Sequence, residues 1–225
     1  MTATWPSQPQ PPRPGWLPGE PQRPGWQPGP PPGPEPSRPD PQPTVVHFDP
    51  RVADLDEQLW RRRIVRVSGR LDATAAQAAA ARVLLADADG PEPIQLHVQC
   101  PDGDLDAAVV LAETLQLVRA RVVALATGTV GGPVVGVYAA ARHRRAHPHA
   151  RFLLTEPRAA FHGSAGRLAA DVALRADALH FLQETIAAAT GRDQAEIAAD
   201  MRAYRVLDAT QAVEWGLVHE VAGGR

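Results

Sequence analysis

The chain has no lysine, no asparagine, a single cysteine and only four serines in 225 residues. The lone Cys100 excludes an internal disulfide, which fits a reducing, cytoplasmic setting. No apolar run reaches the ~18–20 residues that span a bilayer. The first residues show neither a basic n-region nor an apolar h-region, so no signal peptide is expected. The formal net charge of −2 leaves no bulk attraction to nucleic acid or to an anionic membrane, and neither is expected as a partner. The missing lysine and asparagine, beside abundant arginine and alanine, read as the codon bias of a GC-rich genome. No set of residues has the spacing of a metal or cofactor site, so none is expected.

What is present divides the chain in two. Residues 1–44 hold 17 of the 24 prolines and almost no aliphatic side chains. An imperfect ten-residue repeat runs RPGWLPGEPQ (13–22), then RPGWQPGPPP (23–32). Such a segment cannot bury enough surface to offset its ordering entropy and is expected to be disordered, with polyproline II character. It is either a solvated tail or a carrier of two partner-binding points, Trp16 and Trp26.

From residue 45 the composition is that of one globular domain, 45–225. Strands are expected at 64–69, 93–100, 120–127, 151–157 and 217–221. Helices are expected at 71–89, 105–119, 133–141, 166–191, 193–204 and 208–216. Alternation of this kind specifies an α/β fold with a mostly parallel sheet. In the long helix 166–191, Leu168, Val172, Leu179, Leu182 and Ile186 share a face.

Three stretches carry a resemblance. IQLHVQCPDGDLDAA (94–108) resembles I-Y-L-Y-I-N-S-P-G-G-V followed by a helix. RFLLTEPRAAFHGSA (151–165) resembles R-V-M-I-H-Q-P-x-x-x-x-x-G-x-A. DATQAVEWGLVHEV (208–221) resembles S-A-x-E-A-x-E-Y-G-L-V-D. In this order and at nearly ungapped spacing, they resemble the proteolytic subunit of the Clp protease family, within the crotonase-like superfold, over residues 55–222. The resemblance implies that fold, with repeated β-α units and a protruding handle helix at 166–191. It implies a Ser-His-Asp peptidase that works in rings. As partners it implies homo- or hetero-oligomers with Clp proteolytic subunits and a docked Clp ATPase.

The residues that would do the chemistry depart from the pattern. Against G-Q-A-A-S-M-G the chain reads G-T-V-G-G-P-V, with Gly132 at the serine position. Against I-H-Q-P it reads L-T-E-P, with Thr155 at the histidine position. AYRVL (203–207) puts Tyr204 at the aspartate position. Of the two oxyanion positions, Gly103 retains an N–H, whereas Pro133 has none to donate. Glycine at an N-cap and proline at N1 are sufficient reason for Gly132-Pro133 as a helix start. The reading is therefore a degenerate family member, a non-catalytic structural or regulatory ring subunit. The alternative is a Clp serine-type peptidase with a displaced nucleophile; a third reading is a crotonase-like acyl-CoA enzyme.

Few groups are left for a displaced site. Ser68 ends a strand, and Ser164 follows His162 at i, i+2, which is no triad signal. Cys100 sits beside the PDG turn, although a small cysteine at a strand end is usually core. Asp200, one helical turn before Tyr204, reads as a surface carboxylate. RHRRAHPHAR (142–151) reads as a basic surface connection; His143 and His147, at i, i+4, offer too few ligands for a metal. For docking, the resemblance points to Gln95, His97 and Leu117. Gln95 and His97 replace the tyrosines of Y-L-Y, so an apolar anchor for the ATPase is weakened.

Overall fold

The computed structural model describes residues 50–158 and 164–223; the proline-rich segment 1–44 and His162 lie outside them. The elements in chain order are α1 (Pro50–Arg61), β1 (Ile64–Leu71), α2 (Ala73–Asp89), β2 (Ile94–Gly103), α3 (Leu105–Leu117), β3 (Val122–Ala126), β4 (Thr129–Gly131), α4 (Val134–Ala140), β5 (His143–Ala146), β6 (Arg151–Leu154), α5 (Ala165–Thr190), α6 (Gln194–Arg202), β7 (Arg205–Asp208), α7 (Ala209–Glu214) and β8 (Glu220–Val221). The α/β alternation is as expected.

A five-stranded, all-parallel sheet runs in the order β1-β2-β3-β5-β8. A second sheet, β4-β6-β7, pairs β4 with β6 in parallel and β6 with β7 antiparallel. Val65, Val67, Leu96, Val98, Val122 and Ala124 alternate into the core, where alanine-rich α2 and α3 pack. Asp72 caps α2 by accepting from Ala75 N at 2.8 Å, and Asp208 opens α7 in a capping box with Gln211. Asp87 accepts from Arg119 N (2.9 Å) and Ala120 N (2.7 Å), fixing the turn from α3 into β3.

Four local features differ from the sequence reading. β1 does not end at Gly69. The glycine takes φ +81° and forms a bulge, after which Arg70 pairs with Asp102 and Leu71 with Gly103. RHRRAHPHAR is not a plain surface connection, because its first half is β5, paired with β3 and β8. Residues 205–208 form β7, a strand the sequence reading did not place. Gly132 is not an extended N-cap: its φ is +56°, and Pro133 occupies the cap.

The C-terminal half of α5 buries Leu182 and Ile186 beside α3 and α4. Its N-terminal half projects, leaving Val172 51% and Leu174 68% exposed. The expected five-residue stripe therefore buries fully only at one end, and the other end is tied to the segment after β6 by Arg175, which donates to Pro157 O (2.8 Å) and Arg158 O (2.7 Å).

Candidate functional site

β2 ends in Pro101-Asp102-Gly103, and β4 ends against it. A Cβ on Gly131 would lie 2.2 Å from Pro101 O, so no side chain fits there and the two backbones touch. Gly103 is packed between Leu71 and Val134. Beyond Gly131 the chain turns sharply through Gly132 and Pro133 into α4. Gly132 N–H donates to Leu153 O at 3.0 Å, and Pro133 supplies no N–H.

The direction in which position 132 faces is defined. A Cβ built on Gly132 would sit 3.1 Å from Asp102 Oδ1 and 3.5 Å from Thr155 Oγ1. Thr155 follows β6, whose pairing with β4 sets this separation. Gly132 and Thr155, matched to serine and histidine across 23 positions of sequence, thus meet in space. A cleft of about 440 Å³ opens beside them, lined by Asp102, Thr155, Glu156, Arg158, Arg202 and Tyr204 among others. Tyr204 holds φ +57° and is 60% exposed.

Sequence reasoning missed Asp102. It stands in the PDGD turn where the resembled pattern has glycine. Arg70 Nη1 donates to its Oδ2 at 2.7 Å, and Arg70 Nη2 also binds Asp104 Oδ1. These two carboxylates hold the Arg70 guanidinium above its ordinary pKa by hydrogen bonding and charge. The effect is to pin a carboxylate beside position 132, on the side facing Thr155. The PDGD spelling signals a turn, but the arginine that orients it lies 32 positions away.

The other candidates fall elsewhere. Cys100 is fully buried, and burial pushes its thiol up to about 11, so it is core and not a thiolate. Ser68 is exposed on β1, and Ser164 is exposed where α5 begins. Asp200 is not a surface carboxylate. Its side chain is 14% exposed, and Arg205 Nη1 donates to both its oxygens, at 2.9 and 3.1 Å. His143 lies on β5, its ring stacked on His219 with centroids 5.2 Å apart, while His147 packs near His149. No group of three or more metal-ligating side chains occurs among the described residues.

Gln95 and His97 lie on the outward face of β2. Gln95 lines a second cleft, of about 330 Å³, with Arg121, Val123, Leu125, Arg145 and Glu220 among its walls. Leu117, at the end of α3, is 75% exposed but does not line that cleft. No described helix is long and apolar enough to cross a membrane.

A family model described as Clp protease matches residues 48–225. A putative ATP-dependent Clp protease proteolytic subunit-like protein of Streptomyces coelicolor is 32% identical over 180 residues, covering 78% of this chain and 85% of its own. ATP-dependent Clp protease proteolytic subunit 3 of the same organism is 32% identical over 185 residues, covering 79% and 82%. The protein of that name in Rhodococcus jostii is 31% identical over 174 residues, covering 74% and 84%.

Proposed function

Because the chain belongs to the Clp protease family, we propose that it serves there as a non-catalytic subunit, structural or regulatory, assembled with catalytic relatives. The observation that carries this reading is the corner around Gly132. A side chain at 132 would point toward a threonine hydroxyl and a carboxylate, and the position carries none. Peptide hydrolysis through an acyl-enzyme needs a nucleophile, a base in hydrogen-bond reach and donors aimed at the developing oxyanion. Gly132 has no side chain, Thr155 is no base at neutral pH, and Pro133 has no N–H to donate. The charge nearest to position 132 is negative, so it opposes an oxyanion instead of stabilising it.

The cleft remains open, with Glu156, Arg158, Arg202 and Tyr204 on its walls. It is suited to holding a polar chain segment and unsuited to cutting one. The projecting half of α5, with Val172 and Leu174 exposed, supplies a contact surface for assembly. A Clp ATPase would dock weakly, since Gln95 and His97 offer no apolar anchor.

The test has two arms. The purified chain is assayed against fluorogenic peptides, casein and a fluorophosphonate probe, beside an active proteolytic subunit. It is then co-expressed with that tagged subunit. The expected result is no turnover and no labelling, with the chain recovered in a complex of several hundred kilodaltons, the scale of large obligate assemblies. Turnover that vanishes in Thr155→Ala or Cys100→Ala would overturn the catalytic half. A chain that stays monomeric alone and with every such relative would overturn the assembly half.

A further inference from the structure

β8 has two residues and stands at the edge of the five-stranded sheet. Its ladder to β5 pairs Arg145 with Glu220 and Ala146 with Val221. His219 N–H donates to Arg144 O at 2.9 Å, and Ala222 N–H donates to Ala146 O at 2.7 Å. Both β8 residues are exposed, so little apolar burial holds the strand down. Leu217 and Val218, immediately before it, are buried in the core, so an opening of this end stops there. A segment of this kind opens more readily than the core, because opening it sacrifices few buried contacts. Its anchoring depends on the side chains around it.

Two of those side chains are imidazoles. His219 Nδ1 accepts Arg144 N–H at 3.0 Å, so the folded arrangement requires the tautomer with a bare Nδ1. Together with His219 N–H on Arg144 O, this clasps the same two residues at two points. His143, on β5, lies flat on His219, with ring centroids 5.2 Å apart and planes within 4°. His143 Nε2 faces Glu220 Oε1 at 3.4 Å, so a first proton on the pair has a carboxylate beside it. A second proton has no such place. It would land on the Nδ1 that Arg144 N–H already fills, turning an acceptor into a donor that faces a donor. It would also charge a ring stacked on an imidazolium, with Arg144 Nη2 3.3 Å from its Nε2. Burial first, and then Arg144, His143 and Arg121, hold His219 below its ordinary pKa. Glu220, beside it on β8, is engaged by Arg145 at 2.7 Å, and Glu214, the charged residue of α7, is not among the groups that act on the ring.

We infer that the stacked His143–His219 pair is an acid-sensitive latch: its second proton releases β8 from β5, and residues 219–222 open while Leu217, Val218 and the rest of the sheet stay folded. Opening removes the neighbour of β5 and makes β5 the edge of the sheet. In the open state each ring binds protons at the ordinary 6.5, whereas the closed pair holds one. At about pH 5.5, one unit below that value, the extra proton taken up on opening favours the open state by up to about tenfold. The latch involves no residue of the corner at Gly132, so it stands or falls independently of whether the chain can cut peptides.

The test is amide hydrogen exchange of the full chain, read by mass spectrometry at about pH 7.5 and about pH 5.5, with rates corrected for the pH dependence of the exchange chemistry itself. Protection of residues 219–222 is expected to fall about three- to tenfold at the lower pH, and at both pH values to stay at least about tenfold below that of β2. His219→Gln offers Arg144 N–H an amide oxygen that gains no proton, so the fall should shrink to less than about 1.5-fold. In the unsubstituted chain, proton NMR should find an imidazole among the eight that titrates below 6.5. The inference is overturned if protection at 219–222 falls less than about threefold, or if His219→Gln keeps more than half of the fall. It is also overturned if residues 219–222 are as protected as β2, since the opening is then global, or if all eight imidazoles titrate at or above 6.5.

Discussion

Gly132→Ser supplies the hydroxyl that the resembled pattern, aligned on Gly128, carries at this turn, and its consequence can be worked from the structure. At φ +56° an L-residue costs about 1–2 kcal/mol relative to glycine. The new Cβ would stand 3.1 Å from Asp102 Oδ1, close enough that the carboxylate must yield slightly. For a domain of this size each kcal/mol moves the melting temperature about 2–4 °C, so a fall of about 2–8 °C is expected. The hydroxyl would face a carboxylate and Thr155, with no imidazole to take its proton. Absence of the general base is worth about 10²–10⁴ in rate, and absence of the Pro133 donor a further 10²–10³ or so. The Asp102 carboxylate beside this position also disfavours an oxyanion, an effect muted by its exposure and by its pairing with Arg70. The single variant should therefore lie about 10⁴–10⁷ below an intact family peptidase on a fluorogenic substrate. Adding Thr155→His supplies a base at the facing position and should raise the rate about 10²–10⁴ over Gly132→Ser alone. Turnover by the single variant within about 100-fold of an active subunit would refute this reasoning. No gain in the double variant would refute the facing of 132 and 155.

Other outcomes follow from the same structure. Arg144, buried in β5, donates to Leu217 O (2.7 Å), Ala141 O (3.1 Å) and Ala189 O (2.8 Å), tying together α5, β5 and the turn after α7. Arg144→Met strands these carbonyls at about 1 kcal/mol or more each, so calorimetry should find a melting temperature lower by at least about 6 °C; a loss under about 2 °C contradicts the role. His219 is held below its ordinary pKa by burial first and then by Arg144, His143 and Arg121, and its Nδ1 accepts Arg144 N–H at 3.0 Å. The folded state thus favours neutral His219, and its stability is whole above the ordinary histidine pKa near 6.5 and is lost as pH falls below it. Denaturant midpoints should rise from about pH 5 to about pH 7, and His219→Gln should flatten that rise; an unchanged slope contradicts it. Limited proteolysis should trim the chain to a core beginning near residues 45–60, and a stable fragment retaining Trp16 and Trp26 would contradict a disordered tail.

Much of this protein is legible in one dimension. Apolar periodicity locates α2, α3 and α7, and the alternation of elements specifies a parallel α/β sheet. The motif order was enough to find the family; the assignment of Gly132, Thr155 and Tyr204 to triad positions rests on motif spacing alone. Those signals are local, set by φ/ψ preference and by periods of two and 3.6. The remainder depends on partners distant in sequence. RHRRAHPHAR looks like a solvated basic run, yet Arg144 is buried because carbonyls from residues 189 and 217 are waiting for it. β7 is too short to announce itself and forms because β6 offers it a ladder. Asp102 becomes the charge beside Gly132 because β4 ends against the Pro101-Asp102-Gly103 turn, and Arg70, in register with it after the bulge at Gly69, pairs with it there. A residue's own chemistry is written at its position, but its burial and its charged neighbours are settled by chain segments that meet it only after the sheet has closed.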